Sequence, residues 1–410
     1  MRALAGAIRL FTVACTTILL LASCAALPRR DAVPPAMMRR ALTPEAAGSR
    51  YWPDADPVPL LREAAAASER ERASLHEAGL PAEKLPSVSF LAISGGGDAG
   101  AFGAGLLVGW TAQGTRPQFK MVTGVSAGAL IAPFAFLGPR YDGVLTKLCT
   151  SINPSEIFHT RNLIAGLSAD GIADDTPLAA LISKLITPDM LADVAREYRA
   201  GRLLLIATTD LDAGQRVVWN MGAIASSPDP RAPGLFRKVI LASMAVPGLF
   251  PPVMIDVEVD GRRYQEMHVD GGVMSQVFLP LSLFVQRSHD PREYGRRERH
   301  VYVIRNGLID SHWQVVARRT ADVARRALDA LIEVQGLNDL NRLEFDAQQE
   351  GEDFNVAFID DAFNYPHRDD FAADYIRQLF DYSYQLAVRG DAWRRGIPRL
   401  TWSGDIGTNN

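Results

Sequence analysis

Residues 87–110 read SVSFLAISGGGDAGAFGAGLLVGW, and residues 121–137 read MVTGVSAGALIAPFAFL. Each stretch begins as a short apolar run with the composition of a buried strand, passes through a glycine cluster, and opens into a small-residue helix. The first turn is Gly95-Gly96-Gly97-Asp98-Ala99-Gly100, and the second is Gly124-Val125-Ser126-Ala127-Gly128. A Gly-x-Ser-x-Gly turn between strand and helix holds a serine hydroxyl out on a tight bend with no bulk on either side. A glycine-rich strand-to-helix turn presents free backbone N–H groups at the positive end of a helix, where an anion or a forming oxyanion is favoured. Either turn alone arises by chance in a chain of this length. Together, on successive strands, they point to a nucleophile facing an oxyanion hole.

Other readings of the glycine loop are weaker. Gly95-x-Gly97-x-x-Gly100 fits a dinucleotide fingerprint, but that site needs a carboxylate about 20 residues on to hold the ribose. Thr123, Gly124, Val125 and Ser126 stand there instead. A phosphate-binding P-loop needs Gly-Lys-Ser/Thr, which is absent. Close packing of Gly100, Gly103 and Gly105 against a strand is compatible with the catalytic reading.

A serine nucleophile needs a base, and Asp270 in MHVDGGVM is the best candidate. Asp-Gly is also a common turn signal. Here the glycines would expose the carboxylate at a strand end, where α/β sites lie. A three-membered alternative uses Ser126, Asp256 or Asp270, and His300 or His312. His300 opens a strand and lies at the wrong end of it, so His312 is the better runner-up. His268, two residues before Asp270 on one strand face, is a candidate accessory group.

These residues resemble the patatin-like phospholipases. Gly95-Gly96-Gly97-Asp98-Ala99-Gly100 is similar to the family's oxyanion loop, GVSAG to its nucleophile turn, and Ala242–Val253 (ASMAVPGLFPPV) to the segment before its aspartate. Asp270-Gly271-Gly272 resembles its Asp-Gly-Gly/Ala element. The resemblance covers roughly residues 86 to 280. It implies a three-layer α/β/α fold with a mainly parallel sheet sandwiched by helices, and lipid ester hydrolysis by a Ser126–Asp270 dyad without catalytic histidine. By the same resemblance Gly95, Gly96, Gly97 and Gly100 form the oxyanion loop, while Gly124, Gly128, Gly271 and Gly272 shape the two turns. No cofactor or metal is implied. One departure stands out: the family places Arg or Lys before the last loop glycine, and this chain has Ala99. Asp98 is expected to point to solvent at the helix N-terminus. The rival function is an envelope lipoprotein that binds lipid or a partner without turnover; a thioesterase or acyltransferase would use the same nucleophile.

The N-terminus predicts location. Arg2 and Arg9 flank the front of the apolar run Leu10–Leu21, which has the layout of a secretory signal and is short for a membrane span. Leu21-Ala22-Ser23-Cys24 resembles a bacterial lipobox, which would make Cys24 the acylated first residue of the mature chain. Ala25 after it favours, by resemblance, the outer membrane of a Gram-negative cell envelope. Cys15 leaves with the signal, so only Cys149 remains, and no disulfide or cysteine metal site can form. Cys149 reads as a buried helix residue. The formal net charge of −4 becomes more negative on loss of Arg2 and Arg9, with no electrostatic footprint for nucleic acid. The expected partners are a lipid ester or phospholipid substrate and a membrane held through acyl chains.

The organisation then reads as a signal (1–23), a proline-rich extended tether (24–59), a peripheral helix (60–84), one α/β domain (85–402) and a short tail (403–410). Within the domain, 202–209 and the run after Asp212-Ala213-Gly214 are strands, Asp260-Gly261 turns a hairpin, and 300–304 and 355–359 are further strands. Helices are expected over 235–244, 313–337 and 370–388. Phe102, Phe134, Phe136, Leu249 and Phe250 are candidate acyl-chain contacts or core.

Overall fold

The computed structural model describes residues 28–79, 86–151, 159–160, 170–280, 297–309 and 315–398. Cys24, His312 and the signal and tail segments lie outside the described residues.

Strands β1 (Arg50–Tyr51), β2 (Val88–Ile93), β3 (Phe119–Gly124), β4 (His159–Thr160), β5 (Ala173–Asp174), β6 (Leu203–Asp210), β7 (Gln215–Asn220), β8 (Val253–Val259), β9 (Arg262–Asp270), β10 (Arg299–Arg305) and β11 (Asp353–Phe358) appear in that order. Between them run helices α1 (Val58–Glu77), α2 (Gly100–Gln113), α3 (Ala127–Leu137), α4 (Asp142–Ser151), α5 (Thr176–Leu185), α6 (Pro188–Arg199), α7 (Met221–Ala225), α8 (Ala232–Ser243), α9 (Thr320–Gln349) and α10 (Ala373–Arg389). The described residues form a nine-stranded sheet in the order β1-β7-β6-β3-β2-β10-β11, with the β8–β9 hairpin joined to β6. The block β6-β3-β2-β10-β11 is parallel throughout. Its strands β2, β3 and β6 are buried along their whole length, because helices cover both faces. One core joins the sheet to α2, α3, α8 and α10, and the other joins it to α1 and α9. This is the expected three-layer α/β/α architecture.

The local chemistry explains the joints. Asp260 (φ 52°) and Gly261 (φ 75°) both take positive φ, as a two-residue hairpin turn requires. The strand after Asp212-Ala213-Gly214 pairs antiparallel with β6 as expected. Gly105 lets helices meet rather than a helix and a strand: a Cβ there would lie 2.2 Å from the Phe380 carbonyl oxygen of α10. Gly103 does pack on a strand end, against Ile304 and Asn306. Phe102, Phe134 and Phe136 are fully buried core residues, so they are packing groups and not acyl contacts. Cys149 is buried in α4 as expected.

Two expectations change. The extended tether, from residue 28 onward, is instead packed against the domain. Arg29 makes two bonds to Asp212, Arg30 pairs with Asp256, Leu42 bridges Glu258, and β1 covers the outer edge of β7. Arg50 and Glu266 form a buried ion pair, and Tyr51 and Trp52 are buried beside it. The prolines set an extended backbone, but an open sheet edge and a buried carboxylate on β9 give that backbone partners. Helix α9 also runs past the expected end at Leu337. Beyond Leu337, Leu340, Leu343 and Ala347 carry the apolar stripe on into the core. Among the described residues, no helix is long and apolar enough to cross a membrane.

Candidate active site

Strand β6 assembles the site by changing partner along one edge. Its first half pairs with β3, whose last residue Gly124 lies opposite Ile206. Two residues further, Thr208 lies opposite Asp270 of β9. The Ser126 turn leaves β3 where β9 takes over, so serine and aspartate come from opposite directions to one point. Gly271 makes the approach possible: a Cβ there would sit 2.4 Å from the Ala207 carbonyl oxygen and 3.1 Å from Val125 Cγ1.

Ser126 has φ 54° and ψ −123°, a strained conformation for a residue with a Cβ. The strain is held by packing. A Cβ on Gly128 would lie 2.3 Å from the Ile93 carbonyl oxygen, and one on Gly124 would lie 2.4 Å from that of Gly128. The Ser126 amide donates to Ser243 Oγ (3.0 Å), and Ser243 Oγ donates to the Ala207 carbonyl (2.7 Å). Ser243 lies in the segment singled out before the aspartate, but nothing in that pattern identified it as the anchor of the serine turn.

Asp270 is 5 % exposed. Its Oδ1 accepts from the Gly272 amide at 2.7 Å, whereas Oδ2 is buried without a hydrogen-bond partner among the described residues. Burial raises its pKa from 3.8 to about 6, partly offset by the nearby Ser126 hydroxyl and the Gly272 amide. The hydroxyl is thus close enough to favour the carboxylate, although no hydrogen bond between the two is closed. A basic oxygen waits beside a serine.

The glycine loop lies across from them. The Gly95 amide donates to the Gln276 carbonyl (3.1 Å), and the Gly100 amide is bonded within its own turn. Neither is therefore a free oxyanion donor, which corrects the four-glycine expectation. The Gly96 and Gly97 amides bond no acceptor among the described residues. Gly96, at φ 152°, tolerates no side chain, since a Cβ would fall 2.2 Å from the Asn306 carbonyl oxygen. Asn306 pins the loop from below: its amide donates to Ser94 Oγ, its Nδ2 to the Ser94 carbonyl, and its Oδ1 accepts from Gly103. Gly95 faces Ser126, with a would-be Cβ 3.1 Å from the serine Cβ. Gly100 instead allows α2 to touch α3 at Ala127, and Gly272 leaves room for Gln276.

Asp98 does not point to solvent. Its Oδ2 accepts from the Phe371 amide (2.8 Å) and pairs with His367 Nε2 (2.7 Å), tying the loop to the segment before α10. The other candidates are elsewhere. Asp256 pairs with Arg30, and His300 pairs with Asp353 where β10 begins, the opposite end of the sheet from Ser126. His268 is fully buried behind Asp270. Thr208 Oγ1 accepts from Trp219 Nε1, so its proton goes to His268 Nδ1, and Nε2–H then donates to Glu266. Both ring nitrogens are spent on holding β9, so His268 supports the strand and takes no part at the serine.

Asp210, Glu266 and His268 bring ligand atoms within 4.8 Å of one another. The positive charge there is already Arg50, which bonds both Glu266 oxygens. Burial would raise the Glu266 pKa, but Arg50 and His268 outweigh it and hold it at about 2.

Ser126, Asp270, Gly96 and Gly97 open onto a cavity of about 700 Å³. Val246 and Pro247 form one wall, and the first half of α9 roofs it. On the other side of Gly97, a narrow apolar slot of about 80 Å³ runs between α2, α3 and α5, lined by Leu130, Ile131, Leu178 and Leu181.

No curated protein matches this chain significantly. Among solved structures, VipD from Legionella pneumophila aligns at 12 % identity over 74 % of this chain and 67 % of that one, with a TM-score of 0.35. The heterodimeric ExoU–SpcU complex of the type III secretion system of Pseudomonas aeruginosa aligns at 15 % identity over 76 % of this chain, with a TM-score of 0.26. The alignment takes in 53 % of the latter chain, so this protein spans about half its length. Residues 91–283 match the family model described as patatin-like phospholipase, a span that includes both glycine turns, the Ser243 anchor and Asp270. Residues 91–283 are thus a patatin-like phospholipase domain, of a family of lipid acyl hydrolases.

Proposed function

We propose that the protein is a membrane-tethered serine acyl hydrolase that cleaves lipid carboxylic esters, in the manner of a phospholipase A or lysophospholipase, with Ser126 as nucleophile and Asp270 as base. The observation that carries the reading is the buried, unpartnered Oδ2 of Asp270 beside the Ser126 hydroxyl. At neutral pH a carboxyl with a pKa near 6 is mostly ionised, and it is more basic than an ordinary aspartate. Asp270 takes the Ser126 proton as Oγ attacks the ester carbonyl. The Gly96 and Gly97 amides receive the oxyanion. Collapse expels the alcohol, which leaves with the proton from Asp270, and water activated by the same carboxylate then releases the fatty acid. The apolar slot beside Gly97 suits the acyl chain.

The tether rests on the lipobox-like Leu21-Ala22-Ser23-Cys24, with Cys24 acylated and the domain held at the outer membrane of a bacterial envelope. Exposed Leu328, Leu331 and Val334 on α9, beside the cavity, suit a lipid surface.

The test treats the full chain in detergent with a fluorescent phosphonate and assays long-chain and short-chain esters, alongside Ser126→Ala and Asp270→Asn. Labelling and turnover by the parent, with hydrolysis lost in both variants, is the expected result. An Asp270→Asn protein that keeps most of its activity removes the dyad. A folded parent that neither labels nor hydrolyses favours a binding lipoprotein. Incorporation of labelled palmitate should vanish in Cys24→Ala, and its persistence would count against the anchor.

A further inference from the structure

Arg305 ends β10, one residue before the Asn306 that meets Gly96. It continues the face of Val301 and Val303, toward α9. The residue is 6 % exposed, yet its guanidinium closes no hydrogen bond or ion pair among the described residues. Other buried arginines among the described residues each have a carboxylate and at least one carbonyl as partners, although the Arg50 Nε is left over. Arg50 bonds Glu266 and the Ala41 carbonyl, Arg116 bonds Asp142 and the Ala135 carbonyl, and Arg202 bonds Glu197 and two carbonyls. The carboxylates nearest Arg305 are committed elsewhere. Asp339 accepts from Ser275 and the Gln276 amide, and Glu333 pairs with Arg326 at the mouth of the cavity. Both act on Arg305 only through space, and burial outweighs them in lowering its pKa.

The space around the group is built for it. A Cβ on Gly336 of α9 would lie 2.6 Å from Arg305 Nη1, and one on Gly307 would lie 3.4 Å from Nε. Two glycines therefore flank a flat guanidinium, and Arg305 borders the cavity that holds Ser126 and Asp270. A largely buried cation that faces the cavity and bonds no anion among the described residues is costly to the fold. Its retention is explained if the partner arrives with the substrate.

We propose that Arg305 is an anion subsite of the catalytic cleft, taking the phosphodiester of a phospholipid headgroup while the ester carbonyl lies against Ser126. The proposal rests on the hydrolase reading of the same site. A guanidinium offers a planar fork of donors that matches two phosphate oxygens, where an ammonium offers only a point charge. The subsite also places a cation in the cleft of a chain whose glycine loop carries Ala99 and Asp98. A neutral glyceride has nothing to give it, so phospholipids are favoured over glycerides of the same acyl chain.

The test compares lysophosphatidylcholine with a monoacylglycerol of identical chain in detergent micelles, using the full-chain parent, Arg305→Met and Arg305→Lys. In Arg305→Met, kcat/KM for the phospholipid should fall roughly tenfold to a hundredfold further than for the glyceride, as loss of a charged hydrogen bond implies. Arg305→Lys should recover part of that preference. The melting temperature of Arg305→Met should be unchanged or higher, since an unpartnered buried charge is removed. Equal losses on both esters, or a melting temperature that drops, would assign Arg305 to the fold or the oxyanion and overturn the subsite. Inorganic phosphate added to the glyceride assay separates two sources of the anion. Competitive inhibition lost in Arg305→Met means that free phosphate is also accepted; no inhibition, with the phospholipid preference intact, means the headgroup alone is. If the parent cleaves neither ester, the dyad reading fails on its own. The subsite is then judged by calorimetric binding of a short-chain phosphatidylcholine to Ser126→Ala. Adding Arg305→Met should weaken that binding about tenfold or more, and unaltered binding refutes the proposal.

Discussion

Replacing Asp270 with asparagine should make the protein more stable while silencing it. Burial holds the native carboxyl at about 6 against an ordinary 3.8. Between those values the folded chain binds a proton that the unfolded chain has released, so stability attributable to this group is present below about pH 4 and is lost as pH rises to 6. Above that, the ionised carboxylate costs the native state about 3 kcal/mol, since each tenfold change in proton affinity between the ordinary 3.8 and about 6 is worth about 1.36 kcal/mol. Asparagine cannot ionise, and its side-chain oxygen can still accept from the Gly272 amide. Urea unfolding of parent and Asp270→Asn at intervals from pH 4 to 8 is the assay. Taking the difference cancels carboxyls common to both proteins, such as Asp210 and Asp339, whose pKa values are also raised. The variant should draw ahead between pH 4 and 6 and keep a lead of up to about 3 kcal/mol at pH 7. Parent hydrolysis should fall on the acid side with a one-proton midpoint near 6, and the variant should be slower by roughly a hundredfold to ten-thousandfold. A stability gap that does not change with pH, or a variant weaker than the parent at pH 7, refutes the assignment of a desolvated base.

Ser126→Gly should abolish phosphonate labelling yet stabilise the fold by about 1 kcal/mol or more, because glycine accepts the positive φ that serine holds under strain; a destabilised variant would show the turn to be relaxed. Arg50→Ala should cost about 3–5 kcal/mol in urea unfolding, since it leaves Glu266 buried beside His268 without its main counter-charge. A cost below 1 kcal/mol would mean that the 28–57 segment is a loose attachment. Leu331→Asp, 68 % exposed on α9, should lower activity on phospholipid vesicles about tenfold more than on a soluble short-chain ester. Equal effects on the two substrates would remove α9 from the lipid-facing surface.

Ser126, the glycine loop and Asp270 were legible in the sequence because each is a local event. A strand that must turn into a helix within two residues needs glycine, and glycine in a fixed spacing is visible without a structure. The α/β alternation and the Asp260-Gly261 hairpin were legible for the same reason, as period and turn chemistry are properties of neighbouring residues. Only the tertiary structure decided what is set by contact between distant segments. It chose which loop amides stay free, because the Gly95 donor is consumed by the Gln276 carbonyl and the Gly100 donor by its own turn. It made Ser243 the anchor of the serine turn and Asn306 the floor of the glycine loop, although neither stands in a motif. It turned a proline-rich stretch into a wall of the domain, because Arg50 meets a buried carboxylate 216 positions away. It also left Arg305 without a partner among the described residues at the edge of the cleft. Backbone geometry is written residue by residue, whereas the partners of a buried polar group depend on which strands and helices come to lie beside it.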